Sequence, residues 1–417
     1  MNTKQIFCPI HGFIDITPLM QSIIDTPEFK RLHNLRQAGV AYLVFPSANH
    51  TRFEHSIGVS HLAGKLMLHL QKNQPELYIS DRLIEIVRIA GLIHDIGHGP
   101  FSHLYDTVIS KYKIPHHEER GIEIFKNIVK KYKISVSKKE IEMIINMVEP
   151  DNCEFRNNYV YQIVANKVCS VDVDKIDYIE RDSYHLGIRT MTDYQRLITM
   201  ARVVECDGHL QLAWPEKLQH DILSLFETRY RLHKNVYHHH AVKSAEILVE
   251  EIMTNIIDSL EDKTSLHMEN DMILYYYKSN NETINNELNR LRNEIDMRHF
   301  PKMIGEKVIP YVNNESDILK INQFQKKLDM LTNKLNSISI KNTGWKRITI
   351  GFITGTGENP LKKVIYFNHK NINIGYRLKE YSSFMEPKNY KEYIYRMYIL
   401  NKKDFNYAQN QWDIMIK

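Results

Sequence analysis

The densest group of reactive side chains in the sequence is Gly91-Leu-Ile-His94-Asp95-Ile-Gly97-His98-Gly99-Pro-Phe-Ser-His103, which ends an apolar run. His94 and Asp95 set an imidazole beside a carboxylate at a helix end. A mixed nitrogen and oxygen set suits iron, manganese, zinc or magnesium better than copper(I) or a thiolate cluster. His98 lies four residues on and shares the His94 face if the helix persists that far, while the glycines let a substrate approach the backbone. A single buried histidine more often has an ordinary packing explanation. The adjoining carboxylate reverses that preference, because a buried charge left unpaired is costly.

Two flanking segments extend the set. Thr51-Arg52-Phe-Glu54-His55-Ser supplies another imidazole 39 residues upstream of His94. Downstream, Val171-Asp172-Val-Asp174-Lys175-Ile-Asp177-Tyr178-Ile-Glu-Arg-Asp182 supplies carboxylates; on a helix Asp174, Tyr178 and Asp182 share one face, with Lys175 beside them. The plain alternative is a solvated, charge-laced helix face. A third stripe, Arg229, His233 and Tyr237, joins a phosphate-pairing guanidinium to an aromatic ring, against the alternative of a surface helix. The run His238-His239-His240 is discounted as a metal site, since neighbours on a helix point in different directions.

These residues need helices to hold them. Leu83, Ile84, Val87, Ala90, Gly91, Ile93 and His94 repeat with helical period, and Ser80 caps the run. Residues 219–258 carry apolar positions at the same period and predict two helices rather than one. Pro150-Asp-Asn and Ser279-Asn-Asn-Glu mark polar breaks. After Gly344 the composition turns β-branched and aromatic: Arg347–Ile353 and Val364–Phe367 predict a pair of strands, with Gly355–Pro360 as their loop. The expected fold is mainly α, with a helical catalytic core over 1–300 and an α+β C-terminal lobe over 301–417.

Composition excludes several classes. The 417 residues are 43% hydrophobic and 25% charged, enough apolar material for a large core and unlike a disordered or collagen-like chain. A net charge of +5 does not call for a nucleic-acid or membrane surface. No stretch approaches the roughly 20 apolar residues of a membrane helix, and the N-terminus has no secretory h-region. Cys8, Cys153, Cys169 and Cys206 show no C-x-x-C spacing, which favours a reducing compartment and speaks against a cysteine zinc site. An intracellular protein, cytoplasmic or nuclear, is expected. The 21 histidines are the unusual number, and they direct attention back to the metal-type motif.

As a set these motifs resemble the HD-domain deoxynucleoside triphosphate triphosphohydrolases of the sterile-alpha-motif-and-HD-domain type. The resemblance runs through Pro9-Ile-His-Gly12, Ile24-Asp-Thr-Pro27, Val44-Phe-Pro46, Arg52–Ser56, His94–His103, Asp172–Lys175 and His185-Leu-Gly187. It fades through a C-terminal lobe ending near Trp412, and the sterile alpha motif itself is expected to be absent. The resemblance implies that His55, His94, Asp95 and Asp174 ligate one divalent ion (iron, zinc, manganese or magnesium), with a further magnesium on the substrate triphosphate. Arg52, Lys175 and Arg229 would grip the triphosphate, and Tyr178 and Asp182 would lie near phosphates and sugar. Gln37 would read the 3′-hydroxyl, Tyr237 would lie against the deoxyribose, and His238 would sit by the base. His98, His103, Asp106 and His117 match the family's active-site group, with His117 the expected acid for the leaving 5′-oxygen. The implied products are a deoxynucleoside and inorganic triphosphate.

Some positions depart from the family. Asp25 stands in the guanine-nucleotide activator segment, but a Gln and an Arg there are Lys30 and His33, and the Asn-Asp before Pro9 is Phe7-Cys8. In the second activator site Arg196 and Lys217 persist, whereas an Arg has become Pro215; by the base, a Leu and a Gln are Ala38 and His238. An enzyme that GTP does not activate is predicted, and the family's nucleotide-bridged tetramer loses contacts; a homo-oligomer, dimer or tetramer, is the expected assembly. The competing readings are an HD phosphohydrolase acting on another phosphate ester, and a non-catalytic binder of nucleotides or single-stranded nucleic acid, the latter without support from the mild charge.

Overall fold

The computed structural model describes residues 4–150, 156–190, 193–311, 315–337, 344–352, 358–379, 389–400 and 402–416. An antiparallel hairpin comes first, β1 (Lys4–Cys8) with β2 (Gly12–Ile16). Two short helices then start on Thr-Pro steps, α1 (Pro18–Ile24) and α2 (Pro27–Lys30). In each, the threonine oxygen caps the first turn and proline fills a first-turn position where no amide hydrogen is needed.

The helical body continues with α3 (Arg52–Asn73), α4 (Asp81–Ile93), α5 (His103–Ile109), α6 (His117–Tyr132) and α7 (Lys138–Val148). After these come α8 (Val173–Leu186) and α9 (Tyr194–Thr199). Ser80 caps α4 as its sequence implies, accepting from the Leu83 amide at 3.2 Å. The hub is α3, whose buried residues run around most of its circumference from Arg52 to Leu70, so α4 and α8 pack on it from different sides.

Strands β3 (Arg202–Cys206) and β4 (His209–Pro215) precede α10 (Gln219–Leu232) and α11 (His240–Asp258), the two helices expected over 219–258. A π-helical turn, His233–Tyr237, joins them, closed by the His238 amide on the His233 carbonyl at 2.8 Å. The wider turn breaks the even four-residue stripe after His233. Helices α12 (Ile273–Tyr276) and α13 (Glu282–Asp296) then cover α11, with Leu288 and Leu291 in a core shared with Leu248 and Ile252.

The remaining elements are β5 (Lys302–Pro310), α14 (Glu315–Ser337), β6 (Gly344–Gly351), β7 (Ile365–Asn368), β8 (Asn371–Arg377), β9 (Lys391–Ile399) and α15 (Phe405–Ile416). The two segments expected to form a strand pair are both strands, β6 and β7, but they pair elsewhere. β6 lies antiparallel to β9 in the sheet β5-β9-β6, while β7 joins β8 and β4 in a small closed barrel, β3-β4-β7-β8. The barrel therefore takes strands from both sides of residue 300. Leu328, Leu331 and Leu335 of α14 and Trp412 of α15 share the core on one face of the three-stranded sheet. Ile353 at the end of the expected strand, residues 355–357 of the expected loop, and Asp151, Asn152 and Cys153 lie outside the described residues. Cys8, Cys169 and Cys206 are buried free thiols. No described helix is long and apolar enough to cross a membrane. The fold is mainly α with a smaller sheet-bearing C-terminal part.

Candidate active site

His55 sits in the first turn of α3, His94 and Asp95 just beyond the end of α4, and Asp174 in the first turn of α8. Packing of α4 and α8 on α3 brings these three ends together. The Nε2 atoms of His55 and His94 lie 3.2 Å apart. Asp174 Oδ1 is 3.1 Å from His55 Nε2 and 3.5 Å from His94 Nε2, and Asp95 places one oxygen 3.5 Å from each ring. The other ring nitrogens are anchored. His94 Nδ1 meets the Gly91 carbonyl at 2.7 Å; a carbonyl only accepts, so Nδ1 carries the proton and Nε2 presents its lone pair. His55 Nδ1 is held by Asp177 Oδ2 at 2.8 Å in the same way.

The ring nitrogens of His55 and His94 and an oxygen of Asp174 thus converge within 4.8 Å of one another, the spacing of donors around one ion, and Asp95 stands at the edge of the group, 3.5 Å from each ring. The carboxylates make the pocket favour positive charge: burial opposes a charge on His55, yet hydrogen bonds to Asp174 and Asp177 and the field of Asp95 outweigh it and raise the imidazole to about 10, so an ion bound there displaces a proton from Nε2. Burial likewise pushes Asp174 up, and His55 and His94 more than reverse it, holding the carboxyl well below the usual range. The donor set fits a divalent cation.

A second group, His98, His103, Asp106 and His117, also contains metal-type side chains within reach of one another. Its carboxylate is already committed: Asp106 Oδ2 meets His117 Nδ1 at 2.6 Å and Oδ1 accepts from Arg120 at 2.8 Å. His98 stacks on His117 at 3.9 Å, and His103 stands edge-on to His98 at 5.0 Å. Burial, with Arg52 and His117 adding to it, pushes His98 below its ordinary range and His103 down to about 4. Neutral rings around a charged Asp106 suit proton handling better than ion binding. A cleft of about 170 Å³ joins the two groups, lined by His94, Asp95, His117, Asp174 and Lys175 among others.

Two details correct the reading of the motif. The α4 helix ends at Ile93, before a stretch rich in Gly and Pro, and tight turns carry the chain on through the His98 amide on the Asp95 carbonyl at 3.1 Å. His98 therefore does not share a helix face with His94; its Nε2 lies 3.3 Å from Asp95 Oδ1. The glycines serve packing within the protein rather than substrate approach: a Cβ on Gly97 would lie 1.9 Å from the His117 carbonyl oxygen, and one on Gly99 would strike the Tyr105 ring at 2.4 Å.

The expected phosphate-binding cations border this centre, each with a partner in the protein. Arg52 is buried, pairs with Asp95 and donates through Nε to Ser102 Oγ at 2.7 Å. Lys175 pairs with Asp172 at 3.0 Å. Arg229 donates to the Tyr178 hydroxyl at 3.1 Å and to the Gly351 carbonyl at 3.3 Å. Burial raises the Tyr178 hydroxyl above its usual value, with Arg229 and Lys175 pulling the other way. Farther along α8, Asp182 accepts from the Tyr237 hydroxyl on one oxygen and meets His50 Nε2 at 2.7 Å on the other. Gln37 lies on the strand-like segment opposite His50, and its buried Oε1 has no partner among the described residues. His238 closes the π-helical turn; burial, reinforced by Lys243 and Arg396, lowers its imidazole to about 2.

The HD domain family model matches residues 52–182, the span from Arg52 to Asp182 that carries every proposed metal ligand. Mouse deoxynucleoside triphosphate triphosphohydrolase SAMHD1 is 30% identical over 457 aligned positions, covering 95% of this chain and 68% of the mouse protein. The chain belongs to the SAMHD1 family of HD-domain proteins. The Dictyostelium discoideum SAMHD1 homolog is 36% identical over 318 positions, 74% of this chain and 61% of that one. A putative HD domain-containing protein of Acanthamoeba polyphaga mimivirus is 39% identical over 270, covering 61% and 58% respectively. The chain spans only 48% and 45% of the bovine and human SAMHD1 proteins.

Several supporting residues escaped the sequence reading. Asp177 lies within the acidic stretch, one turn on from Asp174 and at the other nitrogen of the His55 ring, and it takes donors from His55, from His11 Nε2 at 2.6 Å and from both Nε and Nη2 of Arg181 at 2.8 Å. Burial pushes its carboxyl up, and Arg181, His11 and His55 hold it well below the usual range instead. Gly58 makes room for it, since a Cβ there would lie 1.9 Å from Asp177 Oδ1. His11 sits in the Pro9–Gly12 motif, so a signal existed; its role did not. Asp271, which accepts from the Arg36 and Phe101 amides at 2.9 and 2.7 Å, had none.

Because Asp177 fixes the His55 ring, Asp177→Asn should weaken metal retention about 10–100-fold, the usual cost of losing a carboxylate behind a ligating histidine. Metal per chain, measured by elemental analysis across a chelator series, checks this; a folded variant with unchanged retention contradicts it.

Proposed function

We propose that the chain hydrolyses deoxynucleoside triphosphates to a deoxynucleoside and inorganic triphosphate. The supporting observation is the convergence of His55, His94, Asp95 and Asp174 beside Arg52, Lys175 and Arg229, with Asp182 and Tyr237 beyond, in a chain whose relatives carry that activity in their names. A divalent ion held by the four ligands supplies positive charge to phosphate oxygens and acidifies water. Iron, manganese, zinc and magnesium all accept this set, and a further magnesium travels on the triphosphate.

A nucleoside triphosphate brings about four negative charges, so its phosphates compete with Asp95, Asp172 and Tyr178 for the three cations. Water adds to the α-phosphorus and the bond to the 5′-oxygen breaks; the water oxygen stays on the triphosphate, and the nucleoside leaves as an alcohol. His117 delivers the proton to that 5′-oxygen from Nε2, because Asp106 occupies Nδ1. Burial raises Asp106, but His117 and Arg120 hold it below the usual range, so it stays charged and supports an imidazolium beside it. His98 and His103, neutral, pack around and orient His117. Gln37 offers its unpartnered oxygen to the 3′-hydroxyl, Tyr237 lies against the sugar, and Ala38 and His238 face the base. Residues 301–417 form a lobe bracing the catalytic core of 1–300, through Gly351 on Arg229 and Arg396 on the His238 carbonyl.

The reading includes turnover without guanine nucleotide. Asp25 is taken by Gln21 and by Lys30 at 3.2 Å, and the His33 ring stacks on Phe53 at 3.5 Å. Arg196 pairs with Asp221 at 3.1 Å. Contacts inside the chain thus satisfy groups that an activator nucleotide would need. The protein acts as a homo-oligomer inside the cell, in cytoplasm or nucleus, where its substrates are.

Purified protein given each deoxynucleoside triphosphate, a series of divalent ions and either GTP or none should release intact triphosphate at equal rates with and without GTP, read by mass. Diphosphate or monophosphate products overturn the reaction, and strict GTP dependence overturns the activator statement. His117→Ala should lower kcat by about 10²–10⁴-fold; near-normal turnover refutes its acid role.

A further inference from the structure

His50 lies outside the groups assigned above, yet it is tied to both ends of the proposed sugar site. Its ring is buried, with 3% of the residue exposed, and its Nε2 is 2.7 Å from Asp182 Oδ1. The other oxygen of Asp182 holds the Tyr237 hydroxyl. The His50 carbonyl accepts from the Gln37 amide at 3.0 Å, beside the bridge between Arg36 and Thr51. One residue therefore ties Gln37 through its backbone and Tyr237 through Asp182.

The protons can be placed. His50 Nδ1 is buried without a partner among the described residues, so a proton there would be an unsatisfied buried donor. The arrangement of lowest cost puts the ring's proton on Nε2, donated to Asp182. Asp182 then receives one hydrogen bond on each oxygen, from His50 and from Tyr237. His185 lies flat against the His50 ring, centroids 4.4 Å apart and planes within 9°, which prevents the imidazole from tipping away. The order His185, His50, Asp182, Tyr237 is a brace running from α8 back to the π-helical turn.

We propose that His50 is the positioning residue that makes the Tyr237 ring a rigid wall and so sets the preference for 2′-deoxy over ribose nucleotides. This rests on the reading that Tyr237 lies against the sugar. A pocket wall of hydrocarbon rejects one added hydroxyl only modestly. Rejection by contact also depends on a wall that cannot yield, and a tyrosine free to rotate about its side-chain bonds yields. Tethered at its hydroxyl to a carboxylate that is itself held from behind, the ring cannot swing to admit a 2′-hydroxyl.

The test compares His50→Phe, which keeps a flat ring on His185 but donates nothing, with His50→Gln, whose amide reaches Asp182 as Nε2 does. Tyr237→Phe, which removes the tether at its other end, covers the case in which His50→Phe does not fold. Thermal melts confirm folding. The readout is the ratio of kcat/KM for dATP to that for ATP, resolved into KM and kcat, together with binding of both nucleotides to metal-loaded protein. The ratio should fall about tenfold in His50→Phe, mostly through better use of ATP, recover in His50→Gln, and fall no further when His50→Phe is combined with Tyr237→Phe. A folded His50→Phe or Tyr237→Phe with the wild-type ratio overturns the proposal, as does an equal loss in His50→Gln. Wild-type protein that binds and hydrolyses dATP and ATP alike refutes the sugar-wall reading itself, a result visible before any variant is made.

Discussion

A carboxylate taken out of water must be surrounded by donors, and the centre of this molecule is organised around one that is. Asp177 is fully buried in α8 against α3 and takes donors from His55, His11 and Arg181. Its charge makes the Arg181 guanidinium tolerable in the interior and turns the His55 ring so that Nε2 faces His94 and Asp174. The missing side chain at Gly58 is the steric condition for this contact, so a backbone atom of the hub helix and the orientation of the His55 ring are one constraint.

From that fixed point the two histidine groups divide their chemistry by what their carboxylates already hold. Asp174 points one oxygen at the Nε2 atoms of both His55 and His94, which favours a cation between them. Asp106 is saturated by His117 and Arg120, which favours a proton on His117. Similar residue types thus carry different roles a few ångströms apart, and hydrogen-bond bookkeeping separates them where composition cannot.

The far side of the site depends on elements remote in sequence. The π-helical turn ends α10 so that Tyr237 reaches Asp182, and the C-terminal sheet contributes the Gly351 carbonyl to Arg229 and Arg396 to the His238 carbonyl. Strand exchange between β4 and β7 in the small barrel connects the same two parts of the chain. The positions of Arg229 and of the C-terminal sheet are therefore mechanically linked through α10.

By itself the sequence determined the helical character of the first part, the cap at Ser80, the two helices over 219–258 and the identity of the converging motifs. These follow from local period, capping chemistry and residue type, which short windows contain. It also placed Asp174, Tyr178 and Asp182 on one helix face, since a four-residue step fixes that wherever α8 lies. Tertiary structure alone decided the rest. The end of α4 at Ile93 put His98 beside Asp95, the glycines of the motif went to packing against His117 and Tyr105, and β6 and β7 joined different sheets. Asp177, His50 and Asp271 act through partners 122, 132 and 170 residues away, and no local pattern records such a distance. A buried polar group is defined by what surrounds it, and the surroundings exist only once the chain has folded.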